Sequence, residues 1–567
     1  EIEIKRQHNI PLTIGKYAFC SSNIGDELLI PRFVTQIQDY AFAKTSINKL
    51  TVEGTSFNTP KTGTRDSIEP SKTDIQKCAF ADCSNLETVI FGNESIEIND
   101  DSFRGCHLKS MTLGNINKIP DDAFIGMTEM VGNFDIPDSV TSIRAFSECY
   151  NIKSVTISNN SELTKIGKSA FYKCRGIESI VIPSKVVTID SYSFYQCTNL
   201  VDFKIQGQNV TFESESFYGC SNIRNIKFNI SNISIGYDSF YRCSRLKSII
   251  IDGKNITIRK NAFYLCNDLE KLSVHGNLTL IDDCAFNSCQ KLVNVSIFGL
   301  NTSIGKQSFY KCTNIQNLEF NISNISIATE SFYQCKNIRN ITIEGNNISI
   351  ENYAFYSCSS SQCVSIKGNN VSIGNYAFAH ISEAKSLTVN ANLYISLGSN
   401  SFYYFYSSLN TSISAEIILI GENAFSFCRN QNVSIIGCNI SILKEAFYIG
   451  VLSKILIDGQ IIKIGYRSFY SCSNLNEVNF QNNSELKKIG KYAFFQTKIN
   501  KILIPSHIEK IGEQSFYLCQ NLANFSIETN LISIEKEAFK TCEKLNYISI
   551  ISEIISIKEQ SFYNCSK

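Results

Sequence analysis

One hexapeptide recurs through the centre of the chain, as Ser169-Ala-Phe-Tyr-Lys-Cys174, Tyr192-Ser-Phe-Tyr-Gln-Cys197, Glu215-Ser-Phe-Tyr-Gly-Cys220 and Asp238-Ser-Phe-Tyr-Arg-Cys243. Its phenylalanine returns every 23 residues from Phe171 to Phe378. A fixed period of about 20 to 50 residues is typical of a solenoid, in which each coil packs only on its neighbours. The sequence therefore predicts that equivalent side chains form columns along the molecule.

Anchor phenylalanines in the same phase extend this pattern toward both ends, which gives about 24 coils of 23 residues. The interval between Phe42 and Phe80 is 38 residues, so about 15 additional residues lie there. Residues 54–73 carry Asn58-Thr-Pro60 and Pro70, a composition typical of a loop. We expect a single solenoid over residues 1–567, with a loop insertion at about 54–73.

The pattern within one coil can be followed from residue 232 to residue 251. Ile233 and Ile235 enclose a serine, and this two-residue period is typical of a strand. A glycine then permits a turn, and residues 237–243 are long enough for one helical turn. From Leu246 to Ile251 the spacing Leu-x-x-Ile-x-Ile indicates a second strand. The coil predicts a mainly β solenoid with parallel sheets and one short helical turn per coil.

Two phrases in the chain resemble the repeat of BspA-type leucine-rich-repeat proteins, roughly L-x-x-I-x-I-P-x-x-V-x-x-I-G-x-x-A-F-x-x-C: Ile136-Pro-Asp-Ser-Val-Thr-Ser-Ile143 and Ile504-Pro-Ser-His-Ile-Glu-Lys-Ile-Gly512. The resemblance covers nearly the whole chain, and it is interrupted at the insertion and where the cysteine is missing, as after Phe124 and Phe402. It implies a curved solenoid with a parallel sheet on its concave side. Many members of this family are surface proteins of anaerobic bacteria and parasitic protists that bind host or matrix proteins.

Charge and hydropathy exclude two classes of partner. With 53 basic and 52 acidic residues the net charge is +1, which provides no long-range field for nucleic acid. No apolar run approaches the roughly 20 residues needed to span a bilayer. Neither end carries a polar cap, so we expect that the chain is part of a longer protein or that a partner covers its ends.

Most of the 22 cysteines follow an anchor phenylalanine by three residues. In a column their Cβ atoms would stay about 4.8 Å apart, wider than the roughly 3.8 Å that a disulfide prefers. We therefore predict a structural column of buried free thiols that includes Cys174, Cys197, Cys220, Cys243, Cys266, Cys289, Cys312 and Cys335. Zinc sites need paired Cys-x-x-Cys spacings, which the chain lacks, and the cysteines outside the column could be redox-active. We expect no metal and no cofactor.

Histidine spacing argues against catalysis. The five histidines are each at least 99 residues apart, which is about four coils and therefore roughly 20 Å along the axis. Catalytic partners must lie within about 3 Å of each other. A single histidine such as His275 with a neighbouring carboxylate could still be active, but a solvated surface histidine is the simpler interpretation. We predict no catalytic residues and no enzyme activity.

Two other columns carry candidate binding residues. A tyrosine directly follows many of the anchor phenylalanines, and these tyrosines form a stripe. The stripe can serve either as an amphipathic cover that stiffens the array or as an aromatic contact strip for a partner. The candidate contact residues are Tyr195, Tyr218, Tyr241, Tyr264, Tyr310, Tyr333 and Tyr356. On the second strand, Lys204 and Lys227 are like-charged residues one coil apart. They could pair with an acidic ligand group, or they could form a solvated ladder.

Asn-x-Ser/Thr sequons recur eight residues before the anchor, at Asn209, Asn232, Asn255, Asn301, Asn324, Asn347, Asn370 and Asn439. Because the repeat itself creates the sequon, its frequency is not independent evidence of secretion. The asparagines could stack as an amide ladder, or they could carry N-glycans if the chain is secreted. Both interpretations stay open at this point.

Two functions compete on this basis. The first is a non-enzymatic, adhesin-like binding protein, extracellular or on the cell surface, that presents an extended solenoid face to protein or glycan ligands. The second is a structural or scaffold protein, cytoplasmic or cytoskeletal, that assembles with itself or with a larger structure through its uncapped ends or its tyrosine stripe. The thiol column slightly favours the second, since free thiols persist in reducing surroundings.

Overall fold

The computed structural model describes residue 4 and residues 11–55, 58–60, 68–70, 72–116, 118–480, 485–502, 504–528, 532–552 and 556–565. For residues 58–60, 68–70, 407–409, 431 and 479 it describes the backbone alone. The chain divides into two compact units, Glu1–Leu269 and Glu270–Lys567, and each is described by itself. Both are parallel β-solenoids, as the sequence predicted, and the described strands make about 22 turns of about 23 residues.

The first unit contains the strands β1 to β21. They are β1 (Leu12–Ile14), β2 (Glu27–Ile30), β3 (Val34–Ile37), β4 (Lys49–Val52), β5 (Asn58–Pro60), β6 (Ile68–Pro70), β7 (Thr73–Ile75), β8 (Thr88–Phe91), β9 (Ile96–Ile98), β10 (Ser110–Thr112), β11 (Gly132–Ile136), β12 (Ser142–Ile143), β13 (Ile152–Ile157), β14 (Lys165–Ile166), β15 (Ser179–Ile182), β16 (Thr188–Ile189), β17 (Asp202–Ile205), β18 (Asn209–Phe212), β19 (Asn225–Asn229), β20 (Asn232–Ile235) and β21 (Ser248–Ile258).

The second unit contains the strands β22 to β40. They are β22 (Lys271–Ile281), β23 (Asn294–Ile304), β24 (Asn317–Ile327), β25 (Asn340–Glu344), β26 (Asn347–Ile350), β27 (Cys363–Ile373), β28 (Ala384–Leu397), β29 (Tyr406–Ser414), β30 (Ile417–Ile420), β31 (Arg429–Ile442), β32 (Val451–Ile464), β33 (Glu477–Asn479), β34 (Lys488–Ile489), β35 (Lys501–Ile502), β36 (Lys510–Ile511), β37 (Asn524–Glu528), β38 (Ser533–Ile534), β39 (Tyr547–Ile551) and β40 (Ser556–Ile557).

Each coil contributes two strand segments, one after the anchor turn and one before the next. Equivalent segments pair in parallel one coil on, so that Ile233 of β20 lies opposite Ile256 of β21. In many coils the two segments merge into one long strand, as in β23, whose alternate residues are buried before and after its bend. The two-residue hydrophobic period thus places one apolar row from each segment inside the coil.

The predicted helical turn around the anchor is not observed, and the described residues contain no helix. A tight turn replaces it, because the residues two before and two after the anchor adopt left-handed backbone conformations, with φ of 60° at Tyr192 and 53° at Gln196 around Phe194. Such residues interrupt a right-handed helix. The N–H groups of Phe194 and Gln196 then donate to carbonyls of the next coil at 2.7 Å, so the turn joins coils as the strands do.

The anchor phenylalanines form the centre of the core. In the first unit Phe171, Phe194, Phe217 and Phe240 stack with ring centroids 4.8 to 5.2 Å apart. The second unit has its own column of stacked anchors from Phe286 onward, with ring centroids 4.8 to 5.3 Å apart. These spacings follow the separation of about 4.8 Å between neighbouring strands.

The insertion predicted at 54–73 lies partly within the described residues. There it is not a simple loop, because β5 and β6 pair antiparallel, with Asn58 opposite Pro70 and Pro60 opposite Ile68. Residues 56–57, 61–67 and 71 lie outside the described residues. Over the part of the chain that the structure describes, no helix is long and apolar enough to cross a membrane.

Candidate binding surfaces

The eight sequon asparagines lie at the start of the strand segment that precedes the anchor, and all are exposed or half-exposed. In the first unit Asn232 Nδ2 donates to Asn209 Oδ1 at 2.5 Å, and Asn255 Nδ2 donates to Asn232 Oδ1 at 2.6 Å. In the second unit the same bonds, at 2.8 to 2.9 Å, join Asn301, Asn324, Asn347 and Asn370. Each bond fixes the amide of one coil against the next.

Two of these asparagines lie opposite an apolar side chain of the preceding coil. Asn301 lies opposite Leu278, and Asn439 lies opposite Ile417, so neither can donate its amide to the residue before it in register. Within a ladder the amide nitrogen that would carry a glycan is already a hydrogen-bond donor to the adjacent coil. Glycosylation of these residues stays a prediction, and the geometry favours the first residue of a ladder over those inside it.

The tyrosine stripe is a stack of half-buried rings. In the first unit Tyr195, Tyr218, Tyr241 and Tyr264 follow one another at centroid distances of 4.8 to 5.2 Å, with planes within 14° of parallel. In the second unit the stripe includes Tyr310, Tyr333 and Tyr356 at 5.2 and 5.1 Å.

Stacking limits what this stripe can offer a partner. Each ring covers the faces of its neighbours, so mainly ring edges and hydroxyls face outward. Burial raises the pKa of Tyr195, and the neighbouring Tyr218 and Tyr172 raise it further. Basic side chains pack beside the rings, as Arg242 does over Tyr241 at 5.6 Å. This arrangement favours a stiffening role over an aromatic contact strip.

The two candidate lysines lie in different sheets. Lys204 of β17 is opposite Val181 of β15, and Lys227 of β19 is opposite Ile250 of β21. Each lysine therefore lies directly opposite an apolar residue on the strand with which its own strand pairs. Their joint binding of an acidic ligand group stays a prediction.

The cysteine column is buried, and all 22 cysteines are free thiols. Sequence reasoning missed a hydrogen bond in this column, in which a thiol donates to the carbonyl oxygen of the anchor phenylalanine one coil earlier. The bond from Cys197 Sγ to Phe171 O measures 3.1 Å, and that from Cys220 Sγ to Phe194 O measures 3.0 Å. The same bond is made by Cys174, Cys243, Cys266, Cys312 and Cys335 at 2.9 to 3.5 Å. The remaining candidate, Cys289, is also buried.

Burial suppresses the reactivity of these thiols, because desolvation disfavours the thiolate. It raises the pKa of Cys312 to about 12 and holds those of Cys174, Cys243 and Cys335 well above the ordinary value. Cys83 differs, since its interaction with the neighbouring Cys106 thiol lowers its pKa.

The histidines sit in separate surroundings. Nε2 of His275 lies 3.2 Å from Ser273 Oγ, and its ring packs on Phe298. His380 lies between Tyr356 and Tyr404 in the aromatic stripe. Burial there lowers the pKa of its imidazole. His107 Nδ1 lies 3.0 Å from Ser84 O, and His8 falls outside the described residues. Among the described residues, no three metal-ligating side chains come together in a group that could hold an ion.

A trough that the sequence interpretation missed crosses five coils of the second unit, with a volume of about 500 Å³. We call it the amide trough. One wall follows the end of the first strand segment, at Asn321, Glu344, Lys367, Asn390 and Ser414. The other wall follows the start of the next segment, at Ser323, Asn346, Asn369 and Asn392. Ile322, Gly345, Gly368 and Ala391 lie between the walls, and the repeated Gly-Asn-Asn at 345–347 and 368–370 was the available signal.

Comparison with known proteins gives a family match over nearly the whole chain. The model of the BspA type leucine rich repeat region matches in six copies, at residues 2–131, 61–163, 117–233, 210–337, 302–432 and 440–567. No curated protein sequence matches the chain.

Similar solved structures include three leucine-rich-repeat proteins. A leucine rich cell surface protein of Faecalibacterium prausnitzii is 18% identical, with 70% of this chain and 95% of that one covered and a TM-score of 0.25. A leucine-rich repeat protein of Bacteroides ovatus is 17% identical, with coverage of 90% and 91% and a TM-score of 0.25. One from Eubacterium ventriosum is 16% identical, with coverage of 56% and 81% and a TM-score of 0.26.

Proposed function

The chain belongs to the BspA-type leucine-rich-repeat family, and on that basis we propose that it is a non-enzymatic, adhesin-like binding protein at the cell surface. It would present an extended solenoid face to protein or glycan ligands. In such a fold a binding surface is built by repetition, because every coil adds the same side chain to a growing row.

The amide ladders are the observation that supports this proposal most directly. Their side chains are solvent-accessible, yet each is held at 2.5 to 2.9 Å by its neighbour. A polar surface whose rotamers are already fixed loses less conformational entropy on binding than a surface of free side chains. The ladders therefore provide a pre-organised array of donors and acceptors across several coils.

The proposal can be tested on intact cells of the source organism. We expect a brief protease treatment to remove the chain from the cells while cytoplasmic markers survive. We also expect the purified, immobilised chain to retain partner cells or matrix preparations. Treating those preparations separately with glycosidases and with protease identifies the ligand as glycan or protein. A chain that resists protease until the cells are lysed would contradict the surface assignment and favour the scaffold function.

A further inference from the structure

The amide trough has walls that are polar and nearly free of net charge. Its two charged side chains neutralise each other, since Lys367 Nζ lies 3.2 Å from Glu344 Oε1. The other lining residues carry no formal charge. Phosphate-rich or acidic polymers depend on uncompensated basic groups, and apolar ligands need apolar walls. A neutral, hydrogen-bonding ligand fits this chemistry.

One wall presents the same pair of groups on successive coils. Asn392 Nδ2 donates to Asn369 Oδ1 at 2.5 Å, and Asn369 Nδ2 donates to Asn346 Oδ1 at 3.4 Å. An amide has two N–H donors and two acceptor lone pairs. An asparagine in such a row therefore keeps a second donor and a second acceptor for a ligand. Neighbouring hydroxyls of a sugar ring offer matching acceptors and donors.

The spacing of the coils selects among neutral polymers. Successive coils are about 4.8 Å apart, whereas an extended peptide advances by about 3.3 Å per residue and turns successive side chains to opposite faces, so a peptide along the trough would present the same face in register only about every fourth coil. A sugar ring joined through opposite sides advances its chain by roughly one coil spacing. The trough crosses five coils, or four steps of about 4.8 Å, which is about 19 Å in length.

Small residues leave the floor open between the walls. Gly345 and Gly368 occupy equivalent positions in consecutive coils. A Cβ on Gly345 would come within 2.2 Å of Ile322 O. On Gly368 a Cβ would come within 2.8 Å of Gly345 O. Glycine at these positions therefore lets the backbones of consecutive coils pack closely along the floor.

We propose that the amide trough binds a neutral, linear, β-1,4-linked glycan that runs across the coils. The inference rests on the proposed binding function and names the class of its ligand. The asparagine wall at 346, 369 and 392 would hydrogen-bond the sugar hydroxyls, with one ring on each coil and alternate rings presenting opposite edges to the wall. Chains of glucose and chains of N-acetylglucosamine differ in their ring substituents and come from different sources. Each is therefore tested separately.

Titration calorimetry on the full chain tests this with cellohexaose, chitohexaose and maltohexaose. We expect one β-linked hexamer to bind, and maltohexaose to bind at least tenfold more weakly, because its α-linkages curve the chain away from a straight trough. Affinity should rise from the disaccharide to the pentasaccharide and then level off. Absence of binding by both β-linked hexamers would overturn the proposal, and so would equal binding of maltohexaose.

Matched variants locate the site. Asn346→Ala with Asn369→Ala should weaken binding about tenfold or more, since two amide contacts are lost. Asn314→Ala with Asn337→Ala removes a matched amide pair of the same unit, in which Asn337 Nδ2 donates to Asn314 Oδ1 at 3.2 Å; neither residue lines the trough, so binding should be unchanged. Ala391→Phe should block the trough, with thermal melting confirming that each variant folds. Equal losses in both double variants would refute the assignment.

The outcome also separates this proposal from the broader one. If neither β-linked hexamer binds, yet the immobilised chain still retains partner cells, the trough assignment fails and the surface-binding function stands. If the chain is inaccessible on intact cells but the hexamer binds, the surface assignment fails and the trough assignment stands.

Discussion

Replacing one anchor phenylalanine should open the solenoid locally and expose the thiols beside it. Phe217 is fully buried, and its ring stacks on Phe194 at 4.8 Å, on Phe240 at 5.1 Å and on Phe203 at 4.7 Å. Phe→Ala in a core costs about 3 to 5 kcal/mol. Stacked aromatic pairs add about 0.5 to 1.5 kcal/mol beyond burial. We therefore expect Phe217→Ala to lower the free energy of local opening by about 5 kcal/mol, the upper end of the range.

Thiol alkylation followed by mass spectrometry measures that opening coil by coil. A loss of about 5 kcal/mol corresponds to an increase of roughly three and a half orders of magnitude in the open population. The labelling rate follows this population when opening and closing are fast compared with alkylation. Cys220 in the same coil and its neighbours Cys197 and Cys243 should all label faster, because each thiol shares a hydrogen bond with a flanking coil.

The same unit contains its own control. Each coil packs only on its neighbours, so Cys106 and Cys149, three or more coils away, should keep their slow labelling rates in Phe217→Ala. Phe217→Leu retains most of the apolar volume and should accelerate Cys220 far less. Equal acceleration of all the thiols would mean that the unit unfolds as one cooperative body, and no acceleration at Cys220 would mean that the stacked anchors do not stabilise their coils. Either result refutes the reasoning.

Three further outcomes follow from the described contacts. Denatured protein alkylated without reductant should carry 22 labels, because all its cysteines are free, and a mass short by a pair of labels would reveal a disulfide. The hydrogen bond from Lys510, with Nζ 2.7 Å from the carboxylate, lowers the pKa of Glu535. A lowered folded-state pKa contributes stability above the unfolded value of about 4.3 and loses it as the pH falls through the folded value. Lys510→Gln should therefore be less stable than the original chain at pH 7, by under about 1 kcal/mol for so exposed a pair, and equally stable at about pH 2 in urea titrations. Finally, folded protein treated with a soluble N-glycosyltransferase should be modified at Asn301 before Asn324, since Asn324 donates its amide within the ladder; preferential modification of Asn324 in peptide mapping would contradict this.

Periodicity alone was enough to predict the parallel solenoid, because a 23-residue repeat fixes which side chains share a column. The stacked phenylalanines and the buried thiols follow from that register. The turn did not follow from it. The left-handed residue two positions after the anchor is Gln196, Arg242, Leu265 or Ile449 in different coils, residues with no preference for positive φ. That conformation is held by hydrogen bonds to the next coil. The sequence of a single coil does not reveal these bonds.

The candidate surfaces were only partly predictable for a related reason. Asparagines 23 residues apart suggested a ladder, but the sequon pattern could not distinguish Asn301, which begins a ladder, from Asn324 inside one. The amide trough was harder to find, because its walls combine the end of one strand segment with the start of the next. Its third coil carries Lys367 and its second Glu344, and only their 3.2 Å pairing makes the trough neutral.

The thiol column has a physical reason beyond filling space. At two anchors the cysteine position holds threonine, and those hydroxyls donate within their own turn, from Thr45 to Phe42 O at 2.9 Å and from Thr497 to Phe494 O at 3.0 Å. A column thiol instead reaches the carbonyl of the preceding coil, as Cys220 reaches Phe194. Sulfur, on its longer bond, thus supplies a buried donor that joins coils and packs as a small apolar group. Disulfide formation would remove that donor, so the fold itself favours keeping these thiols reduced.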